Sequence, residues 1–376
     1  MSDAPHIVLV GAGHAHLHVA AHAGQLLQAG AAVTLISPGD FWYSGMASGM
    51  LGGDYTESDD RLDPAALIES AGGSFLPGYV TAIDRKRRLL HLAEGPPVAY
   101  DLVSLNLGSR VDMSIIRGLS NSAASWPAKP VSNLWCLREA LESALASAAT
   151  LPRLAVVGGG PTGVELAANL LGLGERYGRQ FEITLISASP RLLPDAPRGA
   201  SAWVTRRLHR RGLRLELGAN ALAYAEGQLT LDDASVIACD RVLVATGLIA
   251  PGLVSELGLE HDPYQGLAIA PTLHAIDDER LFAVGDCAWL PDSPYPKLGV
   301  FGVRQAPILL HNLIASLHGE PLEAYQPQQR YLSILNLGDS RGLALWGPLW
   351  WPGRLALKAK RRLDHRFMDR HRGTPS

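Results

Sequence analysis

The sequence predicts an α/β protein with two domains built on parallel sheets, followed by a C-terminal segment of different character. Two observations lead there. The succession of apolar strand, glycine-rich turn, helix and second apolar strand occurs twice, at residues 7–38 and 154–190. Three further apolar runs end in glycine, at the strand ends where α/β sheets place their ligands. A single G-x-G-x-x-G is weak evidence, but two in strand-helix-strand context point to two Rossmann-like dinucleotide sites.

In the first unit, the apolar run Ile7-Val8-Leu9-Val10 leads into Gly11-Ala12-Gly13, and the second strand is VTLISP. His14, His18 and His22 then follow at i, i+4 and i+8, a spacing that stacks imidazoles on one helix face as metal ligands are stacked. His14 and His22 would lie about 12 Å apart along a helix, so one metal takes two of the three at most. The other reading has Gly11 and Gly13 bring backbone N–H groups to a pyrophosphate at a helix N-terminus, with His14 opening the helix. That dinucleotide reading is the expectation, with no metal. The alternatives are a zinc-type site and a nucleotide loop whose histidines also do chemistry. His16 departs from the fingerprint, because it stands where a third small residue normally permits close helix-strand contact.

Along the chain, DLVSLNLGS presents Gly108 and Ser109. The second unit, LAVVGGGPTGVELAANLLGL, completes the fingerprint with Gly158, Gly160 and Gly163, and ITLISASP supplies its second strand. RVLVATGL then delivers Gly247, and ERLFAVGDCAWL delivers Gly285 and Asp286. An aspartate there can accept hydrogen bonds from sugar hydroxyls, although Gly-Asp is also ordinary turn chemistry. Ser37 and Ser187 stand where an acidic residue usually holds the adenosine ribose. Arg191, four residues beyond Ser187, can pair with a 2′-phosphate or be a solvated loop charge, so NADH and NADPH both remain open.

Composition narrows the class. The chain has 376 residues, 47% hydrophobic and 18% charged, with a formal charge of -3, which gives no overall attraction to nucleic acid. Cys136, Cys239 and Cys287 are far apart and form no C-x-x-C pair, which fits a reducing compartment. With no basic, apolar leader at the N-terminus, the cytoplasm is the expected location. An uninterrupted apolar run of about 18 residues, as a spanning helix needs, is absent.

In combination, GAGHAH, LNLGS, GGGPTGVELA, VLVATG and FAVGD resemble, in order across residues 6–290, the pyridine nucleotide-disulfide oxidoreductase superfamily. The resemblance implies that the first loop binds FAD, the second binds NADH or NADPH, and the Gly-Asp strand returns to the flavin's ribityl and pyrophosphate region. It also implies a nucleotide domain at 112–239 inserted into an FAD domain of two parts, 1–111 and 240–325, leaving 326–376 as the C-terminal segment. GHAHLHV, LISP and YSGM look most like the flavoprotein module fused to selenide, water dikinase, and type II NADH:quinone oxidoreductases look like close relatives. The dithiol of disulfide reductases is missing from FWYSGMASGMLGGDY. PKLGVFGVRQAPILLHNL resembles a segment lying over the isoalloxazine. On that likeness Gln305 would hydrogen-bond the flavin or a quinone carbonyl, Lys297 or Arg304 would stabilise charge on reduced flavin, and Glu165 would lie near the nicotinamide. The expected function is hydride transfer from NAD(P)H to flavin and two-electron transfer onward to a small acceptor, first of all a quinone. Other readings are a redox-sensing flavoprotein with slow turnover and an oxidoreductase of selenium or sulfur metabolism.

The C-terminal segment stands apart. From Arg354 to Arg372 it carries eight Lys or Arg and two Asp, a formal +6 against -9 for the other residues. Trp346, Trp350 and Trp351 precede this basic stretch, an arrangement suited to the lipid-water boundary on the inner face of a membrane. The opposing reading packs the tail through Leu355, Leu363 and Phe367 on the FAD domain or on a second subunit in a homodimer.

Overall fold

In a computed structural model, residues 4–372 are described. The first glycine loop leaves the centre of a six-stranded sheet ordered His274–Ala275, Asp278–Ala283, Leu102–Leu105, His6–Val10, Ala32–Ser37 and Ser74–Pro77. All neighbours run parallel except the first pair. Strands buried on both faces need continuous apolar sequence rather than alternation, and Ile7 to Leu9 are accordingly inaccessible. The 20-residue helix Gly299–His318 packs on the first helix, His14–Ala21, and ends in Gly319, whose φ of +67° closes the helix in the left-handed conformation.

A second sheet of five parallel strands is ordered Ser125–Pro127, Arg241–Val244, Leu154–Val157, Ile183–Ser187 and Arg214–Leu217. Its crossover helix, Pro161–Arg176, has Gly160 as N-cap and Pro161 in the first turn, where the missing N–H costs nothing. The chain enters this domain through Arg110–Val111 and leaves through Leu248–Ile249, two short strands paired antiparallel. The strand Arg241–Val244 therefore belongs to the second sheet. This corrects the boundary expected at residue 240: an apolar strand ending in glycine fits either parallel sheet, and its pairing with Leu154–Val157 decides the matter.

Beyond the long helix, Ser333–Asn336, Gly342–Trp346 and Leu349–Gly353 form an antiparallel sheet, and the helix Arg354–His371 folds back on it and on the first domain. The inner face of this helix is Ala356, Leu357, Lys360, Asp364, Met368 and His371. Leu355 and Leu363, which only the packing reading turns inward, are 80% and 51% exposed. Phe367 does pack inward, stacked on Tyr43 at 4.4 Å between ring centroids.

Candidate functional site

Three strand ends converge beneath the first glycine loop, and Asn106 joins them. Its Oδ1 accepts from the backbone N–H groups of Ala15 and His16 at 3.0 and 3.2 Å, while its Nδ2 donates to the Val284 carbonyl at 2.9 Å. Gly11 has a φ of +86°, and a Cβ there would lie 2.7 Å from the Asn106 carbonyl oxygen. At Gly13 a Cβ would run into the Asn106 side chain, and at Gly285 it would lie 2.7 Å from Asn106 Nδ2. These glycines are thus required by the protein's own close packing. Asn106 lies inside the LNLGS stretch, where the glycine that follows it is the stronger signal.

His16 fills the position of the missing small residue by hydrogen bonding. Its Nδ1 lies 2.6 Å from the Gly11 carbonyl and its Nε2 lies 2.8 Å from Ser104 Oγ. The carbonyl can only accept, so Nδ1 carries the proton and Nε2 accepts from the serine. Burial lowers the His16 pKa to about 4, against the hydrogen bond to Gly11, so the ring is neutral at physiological pH. The helix histidines part company. His14 sits in an aromatic box with Phe41, Tyr43 and Phe367 at 5.0, 5.7 and 5.5 Å between ring centroids. His18 and His22 lie ring to ring at 4.2 Å. Burial, only partly countered by the charge of Asp286, holds His14 down to about 4.

Asp286 lies at the same end of the sheet. Its carboxylate is paired with Lys129 at 2.6 Å and accepts from Ser109 Oγ at 2.8 Å, with Lys129 also donating to Ser109 at 2.8 Å. Burial opposes ionisation of Asp286, but the Lys129 charge and these hydrogen bonds outweigh it and hold the carboxyl below its ordinary range. Lys129 follows the Ser125–Pro127 strand of the second sheet, and an isolated A-K-P carries no motif that would mark it in the sequence. Lys297 donates to the Asp286 and Gln265 carbonyls, and its own pKa is lowered, by burial above all. Gln305 is wholly buried, its Oε1 accepting from Gly285 N and its Nε2 donating to Tyr295 Oη, both at 2.7 Å. It braces the Gly-Asp turn from within the protein, which corrects its expected place against an acceptor; Arg304 is exposed.

At the second loop, a Cβ on Gly163 would run into the Gly158 carbonyl. Gly158 has a φ of +131° and lies against the Ala245 carbonyl. Gly160 is different. Its φ is -76° and an added Cβ would meet nothing within 4 Å, so neither backbone nor packing calls for glycine. Gly108 likewise borders open space with a φ of +68°, and Gly247 has a φ of +65°. Ser37 and Ser187 are buried, their hydroxyls turned to Gly39 O and Ser189 N. Arg191 donates to the carbonyls of Ala196 and Pro194 in its own loop. Glu165 Oε1 accepts from Asn336 N at 2.6 Å and Ser48 Oγ at 3.2 Å, and burial raises its pKa against the nearby charge of Lys360.

The thiols are unpaired. Cys287 is buried beside the Gly-Asp turn, and burial pushes it up to about 11, so it is a packed thiol and not a nucleophile.

The family described as pyridine nucleotide-disulphide oxidoreductase matches residues 5–308. The chain belongs to that family. As a member of the pyridine nucleotide-disulphide oxidoreductases it is an oxidoreductase that binds FAD and a nicotinamide nucleotide. It is 26% identical over 370 residues to the demethylphylloquinone reductase NdbB of Synechocystis sp., covering 93% of this chain and 90% of that protein. With the type II NADH:quinone oxidoreductase of Haemophilus influenzae it shares 30% identity over 186 residues, 46% of this chain and 42% of that one. The structure of NDH2 from Plasmodium falciparum in complex with NADH superposes with a TM-score of 0.81 at 14% identity, covering 97% of each chain; at that identity the likeness is one of fold.

Proposed function

We propose that this oxidoreductase passes a hydride from the nicotinamide nucleotide to FAD and two electrons onward to a quinone. The observation that carries the reading is that all three cysteines are unpaired, so no dithiol stands beside the first glycine loop, whose helix starts in a packed cluster of His14, Phe41, Tyr43 and Phe367. Without a dithiol the electrons leave the flavin directly for the acceptor. The relatives named for quinone reduction support the same acceptor.

When bound, the flavin supplies the centre that accepts hydride and releases electrons singly or in pairs. The residues orient and polarise. Gly11, Gly13 and the helix start at His14 receive the FAD pyrophosphate, and Gly108, Ser109 and Asp286 meet the hydroxyls between it and the ring. Lys129 and Lys297 leave one net positive charge around Asp286, which favours negative charge developing nearby. Gly158, Gly160 and Gly163 hold the nucleotide, with Ser187 and Gly247 at its borders.

The outward strip of the C-terminal helix supports contact with an anionic membrane, the phase in which a lipophilic quinone is found. Leu355, Ala359 and Leu363 recur at i, i+4 and i+8 among exposed Lys358, Arg362 and Arg366, while Trp346 and Trp351 of the preceding hairpin are 49% and 40% exposed. No helix among the described residues is long and apolar enough to cross a membrane, so the contact is peripheral.

Steady-state oxidation of NADH and NADPH with a panel of quinones tests the acceptor. Turnover of at least about one per second, the lower end of ordinary enzyme rates, supports a quinone reductase. A persistent reduced flavin that turns over slowly with every quinone rejects it in favour of a redox sensor.

A further inference from the structure

Behind the second glycine loop, one buried residue joins three parts of the molecule. Asn336 ends the first strand of the C-terminal sheet and is inaccessible to solvent. Its backbone N–H donates to Glu165 Oε1 at 2.6 Å, and its carbonyl accepts from Asn169 Nδ2 at 3.0 Å. Both partners lie on the nucleotide-domain helix Pro161–Arg176. The side chain turns to other segments: Nδ2 donates to Asp54 Oδ2 of the flavin domain at 2.9 Å, and Oδ1 accepts from Gly338 N of the following turn at 3.0 Å. These partners fix the amide's orientation, since an ionised carboxylate only accepts and a backbone N–H only donates.

Neighbouring contacts tie the same three parts together. Glu165 Oε1 also accepts from Ser48 Oγ, on the flavin-domain helix Ala47–Leu51, at 3.2 Å. Asp54 pairs with Arg176, at the far end of the nucleotide helix, and with Arg361 of the C-terminal helix, the latter at 3.3 Å. The turn after Asn336 is pressed onto the nucleotide domain, where a Cβ on Gly338 would lie 2.5 Å from the Ala168 carbonyl oxygen. Asp339 of that turn pairs with Arg207 on the next helix of the nucleotide domain. A buried polar network of this kind has one good arrangement, because any slip leaves polar groups unpartnered in a low-dielectric interior.

We propose that Asn336 positions the nucleotide for hydride transfer by holding the helix Pro161–Arg176 in register against the flavin domain. The start of that helix receives the nucleotide, and Glu165 and Asn169 lie one and two turns into it, so a shift of the helix moves the nicotinamide relative to the flavin. In the transfer a hydrogen leaves the nicotinamide with its bonding pair, and both go to the flavin. The rate depends steeply on separation: a misplacement of about 1 Å caused by a distant change costs up to about a hundredfold. The proposal rests on hydride entering from the nucleotide and is independent of what the flavin then reduces. Asn336 acts through Glu165 and Asn169 and is a positioning residue.

The test compares the FAD-loaded wild type with N336A, N336D and the double variant D54N/N336D. N336A removes both side-chain bonds, and N336D sets two carboxylates against each other. The double variant restores one amide and one carboxylate and keeps that carboxylate within the cluster of Arg176 and Arg361. Anaerobic stopped flow at saturating NADH or NADPH should show flavin reduction about tenfold slower in N336A and N336D. The nucleotide dissociation constant and the reoxidation of reduced flavin by ferricyanide should be unchanged, and reduction should recover in the double variant. Equal slowing of reduction and reoxidation, which a merely structural role produces, overturns the proposal. So does an unchanged reduction rate in N336D, or a double variant as slow as N336D. Hydrogen exchange provides an arm independent of turnover: amides of the helices Ala47–Leu51 and Pro161–Arg176 should exchange faster in N336D and return to the wild-type rate in the double variant. If neither nucleotide reduces the wild type, the hydride reading fails, and exchange alone then decides whether Asn336 holds the helix in register; exchange unchanged in N336D overturns that role.

Discussion

His16 shows how one side chain satisfies a packing demand normally met by having no side chain. Its two ring nitrogens are used by Gly11 O and Ser104 Oγ, so His16→Ala would leave two buried polar groups unpartnered at about 1–3 kcal/mol. Thermal denaturation of the apoprotein should show that loss, and FAD titration should show weaker binding through the displaced loop. The pH dependence has a definite sign. The unfolded histidine titrates near 6.5 and the folded one at about 4, so on acidification the unfolded chain gains a proton that the folded chain refuses. Stability from this group is present above 6.5 and is lost as pH falls from there to about 4. His14 and His18 are depressed to about 4 as well, so the variant should have a shallower acid slope, not a flat one. An equally steep slope would show that His16 is protonated in the folded state.

At the scale of elements, the βαβ units were legible because glycine position and apolar runs are local properties. The strand Ile183–Ser187, its partner Leu154–Val157 and the loop between them lie where the pattern places them. The strand Arg241–Val244 was legible as a strand but not as a member of one sheet, since pairing is a long-range fact. The C-terminal helix leaves two readings open in sequence, one with its leucines outward and one with them packed. Its inner face buries Lys360 and Asp364, and a buried ion pair looks in sequence like two solvated charges, while exposed Leu355 and Leu363 look like core. Among the site residues, Lys129 carries no motif, and Asn106 and Tyr43, although inside LNLGS and YSGM, take their places only when distant segments meet. The exposed leucines lead to a prediction for the membrane surface. Replacing Leu355 and Leu363 with Gln, and Lys358, Arg362 and Arg366 with Gln, should abolish cosedimentation with anionic liposomes at low salt, each basic residue contributing about 1 kcal/mol. Removing the chain after Gly342 would be a poor substitute, because Leu343 and Ala344 are core residues. Undiminished binding by the substituted protein would exclude this face.

Across the whole molecule, the two domains meet at the Lys129–Asp286 ion pair, one partner supplied by each sheet's loop system. Its side chains are 26% and 12% exposed, so removing the ammonium strands a largely buried carboxylate. Lys129→Met should destabilise the protein by about 1–3 kcal/mol, raise the Asp286 pKa and weaken FAD retention, which denaturation and flavin-release assays would register. No change in either would mean that the pair contributes nothing to joining the domains. The central claim is that two half-reactions share one flavin, and anaerobic stopped-flow absorption tests it most directly. Mixing the holoenzyme with NADH or NADPH should bleach the oxidised-flavin band, and a second mixing with a short-chain ubiquinone analogue should restore it fully, with one quinone consumed per flavin. A band that NADH and NADPH both leave untouched, or one that stays bleached in the presence of quinone, would contradict the account.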